Sequence, residues 1–344
     1  MRFPKPGGPI GTALQNIVKE PPDDASVTDV PASAGSAIED VQDVLNDDDF
    51  QRSLFCLYQL HYSGFDDVDD DWEWHPGLLK IRTSMERRFE DAVRSGTVMP
   101  QLPAQDANSV AQALFAMAAI DDGPSLPRFA SKHATAGQLR ELVILRSLSQ
   151  LREADPHTWA IPRLSGRAKA ALVEIQADEY GGGRPERVHA VLYAQSMRGL
   201  GLDDAYGAYF DEIPAATIAS VNLMSLFGLH RRLRGAIIGH LAIYEMSSSI
   251  PNGLYARGFE RLGFGDDVTD YFSEHVEADS VHEQIAGTDM AGALVEAEPD
   301  LLEDVMFGAA AAQFVDSLAT AHVLDNWKNG TTALRPGVLQ VQPG

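Results

Sequence analysis

The segment YFSEHVEADSVHEQIA, residues 271–286, carries His275, Asp279 and His282 at spacings of four and three. A helix turns about 100° per residue, so relative to His275 the other two sit at roughly +40° and −20° and share one face. No Pro or Gly interrupts the stretch from Val268 to Ala286. Two imidazoles and a carboxylate on one face suit an ion such as Fe, Mn, Zn or Ni. The competing reading is a solvated polar face with incidental histidines, in a chain that is acidic nearly throughout.

Three further stretches offer the same chemistry. In EIQADEYGGGRPERVHAVLY, Glu179 and His189 are ten residues apart and would diverge by about 80° on one straight helix. Gly181, Gly182, Gly183 and Pro185 lie between them. Such a run breaks a helix and resets its phase, which lets two half-helices aim both groups at one point. The same residues also make an ordinary helix–turn–helix with a Gly C-cap and Pro near the next N-terminus. Glu186 competes with Glu179, because Glu186-x-x-His189 is one copy of a ferritin-like di-iron pattern. Glu245 ends the apolar run GAIIGHLAIYE, where a carboxylate is costly to bury unless paired or metal-bound. Its alternative is a helix end that reaches water. Glu153 closes a mixed stripe of Leu139, Leu142, Arg146, Ser149 and Glu153 near the end of a helix over 136–155, and spacing alone does not bury it.

The elements that must position these groups are helical. Thr135 is the expected N-cap of the 136–155 helix, and Asp155-Pro156 marks its end. Apolar periodicity predicts further helices over 75–97, 106–121, 166–183, 185–201, 215–229, 231–250, 252–263, 267–286 and 298–328, and one along FQRSLFCLYQLHY. Period-two runs and hairpin turns are scarce, so the class is all-α. Residues 1–35 read as a mostly irregular arm with at most a helical turn around Ala13–Val18. Residues 36–130 are expected to be helical and to pack on the bundle or build a homodimer surface. Residues 131–330 form the main helical domain and 331–344 an irregular tail.

The chain has 344 residues, is 44% hydrophobic, and sets 27 Lys and Arg against 50 Asp and Glu, a net charge of −23. That balance argues against a nucleic-acid partner. A single cysteine, Cys56, excludes an intrachain disulfide and a Cys-based zinc site, and a cytoplasmic location fits. The first residues lack the apolar core of a signal peptide, and no run of about 18 apolar residues predicts a membrane span. The acidic FDDVDDDWEWHPG, residues 65–77, lacks the order of a calcium loop and reads as solvated.

Taken in order, Glu153, Glu179, His189, Glu245, His275, Asp279 and His282 resemble the ligand pattern of the heme-oxygenase-like di-metal oxidases, a family of iron-containing redox enzymes. The segments READPHTWAIPRLSGRAKAALVEIQADEYGGG and HLAIYEMSSSIPNG are similar to that family's signature text, and the likeness spans roughly residues 130–290. The resemblance implies a heme-oxygenase-like helical bundle. It also implies two Fe(II) ions, with a mixed Mn/Fe pair as the variant, and O₂ as co-substrate. It implies oxidation of a small-molecule substrate by N-oxygenation, oxidative decarboxylation or C–C cleavage. By analogy, Glu153, His189 and His282 serve one ion and His275 and Asp279 the other. Glu179 bridges and Glu245 is the ligand that moves. Asp178 or Glu274 would orient a histidine from behind, while Glu277 and Glu283 stay solvated. Trp159, Tyr244 and Met246 are read as core, and Arg146, Arg163 and Arg167 as candidate holders of a substrate carboxylate. Two rivals stand beside this: a heme-handling protein of the same fold with His61 as the proximal ligand, and a non-catalytic helical interaction protein.

Overall fold

A computed structural model describes residues 1–22, 32–120 and 125–335, without the side chains of 32–33 and 277–281. All regular structure among these residues is helical. The order begins α1 (Pro9–Val18), α2 (Ala32–Asp40), α3 (Asp48–Gln59), α4 (Pro76–Gly96), α5 (Ala107–Ala118) and α6 (Leu126–Lys132). It continues with α7 (Ala136–Gln150), α8 (Asp155–Thr158), α9 (Gly166–Glu179), α10 (His189–Gly199) and α11 (Ala215–Leu229). Then come α12 (Arg234–Ser247), α13 (Ser249–Arg261), α14 (Asp266–Gln284), α15 (Ala293–Ala297) and α16 (Leu302–Lys328). Among these helices none is long and apolar enough to cross a membrane.

Local chemistry explains most boundaries. Thr135 caps α7 as expected, and Gln138 returns the bond to its backbone N–H in a reciprocal capping box. Asp47 and Asp106 cap α3 and α5 by accepting from Phe50 N and Ser109 N. Pro156 lies in the first turn of α8, where its missing N–H is harmless.

Three boundaries differ from the sequence reading. α7 stops at Gln150 rather than 155, because Pro156 cannot donate to the carbonyl four residues back, and 151–154 form a turn. Within the first 35 residues, the described stretch 1–22 is more ordered than an irregular arm. α1 is a ten-residue helix, and its Ile10, Leu14 and Val18 are buried in the main core. A π-helical stretch, Ile285–Gly292, follows α14 where Gly287 suggests a stop. Of the tail, 331–335 dock through Arg335, which donates to Asp48 and to the Asp211 carbonyl, and 336–344 lie outside the described residues. The acidic loop at 65–77 has a structural task. Asp67 accepts from Phe3 N, and buried Trp72 donates to the Glu20 carbonyl.

Two apolar cores hold these elements. The larger joins α1–α5 to α9, α11, α12 and the N-terminal half of α16. The smaller joins α6, most of α7, α10, α13, α14 and the C-terminal end of α16. Of the expectations for 36–130, packing on the bundle is the one observed, with α3 against α11 and α5 against α12 and the π-helical stretch. The tightest contact in the larger core is α12 on α16. Here a Cβ on Gly239 would fall 1.8 Å from the Val305 carbonyl oxygen, and one on Gly308 would fall 2.0 Å from that of Ala236. Only glycine lets the two backbones meet this closely. Gly239→Ala is therefore expected to push α12 off α16 and destabilise the fold by about 1–3 kcal/mol. A lower thermal midpoint than wild type, with Ala242→Gly as a milder comparison, would check it.

Candidate metal centre

Gly181, Gly182 and Gly183 all adopt positive φ, at 79°, 57° and 83°. The chain reverses tightly there, and a Cβ on Gly181 would lie 2.7 Å from Val188 N. The reversal brings the last residue of α9 against the first of α10, with Glu179 Oε2 2.8 Å from His189 Nδ1. Arg187, in the same turn, pairs with Asp270 and Glu274 of α14 and ties the reversal to that helix. Glu186 points outward and is exposed, so the ferritin-like alternative is not what the fold assembles.

The turn after α7 delivers Glu153. Its Oε1 lies 3.3 Å from His275 Nε2, and its Oε2 is 4.0 Å from His189 Nδ1. Tyr271 donates its hydroxyl to the Glu153 carboxylate at 3.0 Å and holds it in place. Tyr271 also accepts His275 Nδ1–H at its backbone oxygen, 2.9 Å away. An imidazole that donates from Nδ1 keeps its lone pair on Nε2, the form in which histidine binds metal. This role of Tyr271 escaped the sequence reading. The signal was its position one helical turn before His275.

Glu245, near the end of α12, is buried. Its Oε2 lies 3.1 Å from His282 Nδ1, and Asp178 Oδ2 lies 3.1 Å from His282 Nε2. Between the two orienting candidates, Asp178 touches a histidine and Glu274 is engaged by Arg187.

The ligand atoms sort into two groups, each within 4.8 Å of one another: Glu153, Glu179, His189 and His275, and then Glu179, Glu245 and His282. Glu179 belongs to both, as a bridging carboxylate would. The partition differs from the analogy, which set His282 beside Glu153 and His189. Here His275 fills that place and His282 joins Glu245, because α14 presents its N-terminal half to α10 and its C-terminal half to α12. Asp279 is on α14, but its side chain lies outside the described residues.

The residues fit a cation better than they fit each other. Glu179 Oε2 and His189 Nδ1 are sealed from solvent and close together, yet neither has a hydrogen bond of acceptable geometry. Unpaired buried polar atoms of this kind are rare and costly. Both would be satisfied by an ion placed between them. Electrostatics agree. Burial pushes the Glu245 carboxyl up and the nearby Glu179 charge adds to this, against the pull of His282. Burial opposes the His282 imidazolium, but Glu245 and Asp178 hold it, up to about 9. Burial also works against the Glu153 carboxylate, but His275, His189 and Tyr271 outweigh it and keep it below its ordinary value.

The centre opens into a cavity of about 480 Å³. Glu153, Glu179, Glu245 and His275 line one part of it, and Arg146, Tyr244 and Asp316 line another. Tyr244 thus faces the cavity, while Met246 packs against the core and Trp159 meets Tyr62 edge-on. Arg163 donates to the Gly228 and Leu229 carbonyls, and Arg167 pairs with exposed Asp289, so neither is a cavity group. His61, the residue a heme would need, is buried against Arg82 and faces Glu73 at 3.5 Å.

A family model described as iron-containing redox enzyme matches residues 140–316, about half of the chain. The all-α architecture is the heme-oxygenase-like one that this match carries. A nitrosourea synthase of Streptomyces achromogenes subsp. streptozoticus is 28% identical over 151 residues, which is 44% of this chain and 32% of the relative. The match therefore spans about a third of that protein's length.

Two outcomes follow from the geometry. Gly181→Ala forces a strained φ and a clash with Val188, so Fe(II) affinity in an anaerobic titration is expected to fall roughly 10-fold or more while helicity by circular dichroism persists. His61 is held neutral by burial first and then by Arg82 and His230, with its pKa lowered to about 4. The unfolded chain takes up that proton near the ordinary value of about 6.5, so stability falls as pH drops from about 6.5 to 4. Urea midpoints across that window should decline less steeply in His61→Gln than in wild type.

Proposed function

We propose that this chain, which belongs to the family of iron-containing redox enzymes and is an oxidoreductase, holds two iron ions and uses O₂ to oxidise a small organic molecule in the adjoining cavity. The observation that carries this is the pair of ligand groups sharing Glu179. Glu153, His189 and His275 would hold one ion, Glu245 and His282 the other, with Asp279 as the remaining ligand of the set. Hard carboxylates and neutral imidazoles favour Fe(II) or Mn(II), and a mixed Mn/Fe pair uses the same ligands. When bound, two such ions supply electrons to O₂ and leave open positions for it.

The protein's own groups do the rest. Tyr271 keeps Glu153 turned toward His275, and Asp178 keeps His282 turned toward Glu245. Metal uptake must displace the proton that His282 holds, so binding is expected to weaken as pH falls below about 9. Leu142, Val221, Met224 and Leu241 give the cavity an apolar wall against which a substrate's carbon skeleton would pack. The relative is a nitrosourea synthase, so N-oxygenation comes first among the reaction types, ahead of oxidative decarboxylation and C–C cleavage.

Anaerobic Fe(II) titration followed by mixing with O₂ tests the reading. About two irons per chain, O₂ uptake and a transient visible absorption are expected. Glu179→Ala should drop the stoichiometry below one, because it removes the shared ligand, whereas Glu186→Ala should leave it unchanged. A well-folded wild-type protein that takes up no iron would sink the proposal.

A further inference from the structure

His282 stands between two carboxylates of unlike surroundings. Its Nδ1 faces Glu245 and its Nε2 faces Asp178, each at 3.1 Å. The Glu245 side chain is 7% exposed, whereas that of Asp178 is 59% exposed. One buried imidazole thus links an interior acid to an acid that reaches water. Asp178 also immediately precedes Glu179, the residue common to both ligand groups, in the last turn of α9. Two other approaches to the centre carry positive charge. Arg187 lies where the glycine turn meets α14, paired with Asp270 and Glu274. The cavity side presents the Arg146 guanidinium and an apolar wall. A cation coming by either of these meets a like charge, or sheds water against carbon that cannot replace it.

We infer that Asp178 is the entry carboxylate through which divalent cations reach the centre, passing them by way of His282 and Glu245 to Glu179. An exposed carboxylate can take a cation that still keeps most of its water. The buried ligands then replace that water one step at a time, so no stage leaves the charge bare in the interior. A negative charge at the mouth of a cleft raises capture rates by roughly 10- to 1,000-fold. Asp178 belongs to neither ligand group, so it governs how fast the centre fills and not how much it holds. Its amide counterpart separates this task from the orienting one. Asparagine keeps an oxygen that accepts from His282 Nε2–H but lacks the charge that captures a cation. This route presupposes the two-iron centre proposed above.

Rapid anaerobic mixing of the full metal-free chain with Fe(II), followed after a set delay by a colour-forming Fe(II) chelator, measures the rate of uptake. Asp178→Asn should slow uptake roughly 10-fold or more and still reach the wild-type iron count at long delay. Release from the loaded protein to the chelator should slow in proportion, since one barrier is crossed in both directions. A residue that merely positions His282 would leave uptake unchanged and speed release. Asp178→Glu, which keeps the charge, should retain most of the wild-type rate. Glu174→Gln removes another exposed charge one turn earlier on α9 and should fill at the wild-type rate. Uptake as fast in Asp178→Asn as in wild type, or slowed equally in Glu174→Gln, overturns the entry route while leaving the oxidase reading in place. A folded wild-type chain that takes up no iron removes both.

Discussion

Gathering ionisable side chains in a protein interior is the constraint around which the rest is arranged. Glu179, His189, Glu245, His275 and His282 are all buried, and a lone carboxylate there would be neutralised by protonation. The fold sets each acid against an imidazole instead. Glu153 meets His275, Glu179 meets His189, and Glu245 meets His282. Tyr271, Asp178 and Arg187 then fix orientations from behind. The Glu179–His189 contact alone lacks hydrogen-bond geometry, and Glu179 is the residue common to both groups.

The helices place these groups largely by ending. Glu153 follows the end of α7, Glu179 is the last residue of α9, and His189 is the first of α10. Glu245 sits two residues from the end of α12 and His282 two from the end of α14, just before the π-helical stretch. Side chains on one regular helix are restricted to its 100° steps, whereas an interrupted helix can aim a side chain independently of its phase. The triple glycine and Pro156 are thus as much a part of the centre as the ligands are.

Much of this was legible in the residues themselves. The all-α class, the cap at Thr135 and the broken helix between Glu179 and His189 follow from periodicity and from the chemistry of Gly, Pro and Thr. The burial of Glu245 follows from its apolar neighbours. Less legible was anything that depends on how distant helices meet. The pairing of His275 with Glu153 and of His282 with Glu245 is a matter of how α14 crosses α10 and α12. Sequence spacing along α14 places both histidines on one face but does not say what each half of that face meets. Glu153 was the least readable member of the candidate site, because a mixed stripe carries no burial signal and its turn depends on where α7 stops. Arg146 and Asp316 lie 170 residues apart on α7 and α16, and nothing local to either announces a shared cavity.

The division into two cores has a further consequence. α9 and α12 belong to the larger core and α10 and α14 to the smaller. The Glu179–His189 and Glu245–His282 contacts therefore both run across the boundary between them. Substitutions in opposite cores and away from α7 and α16, which enter both, lack common packing partners, so their effects on stability should sum. Substitutions at the boundary should not sum, since moving either core alters the same few distances. Together with α7 and α16, which enter both cores, the centre couples the two halves of the molecule, and changes in either half are registered there.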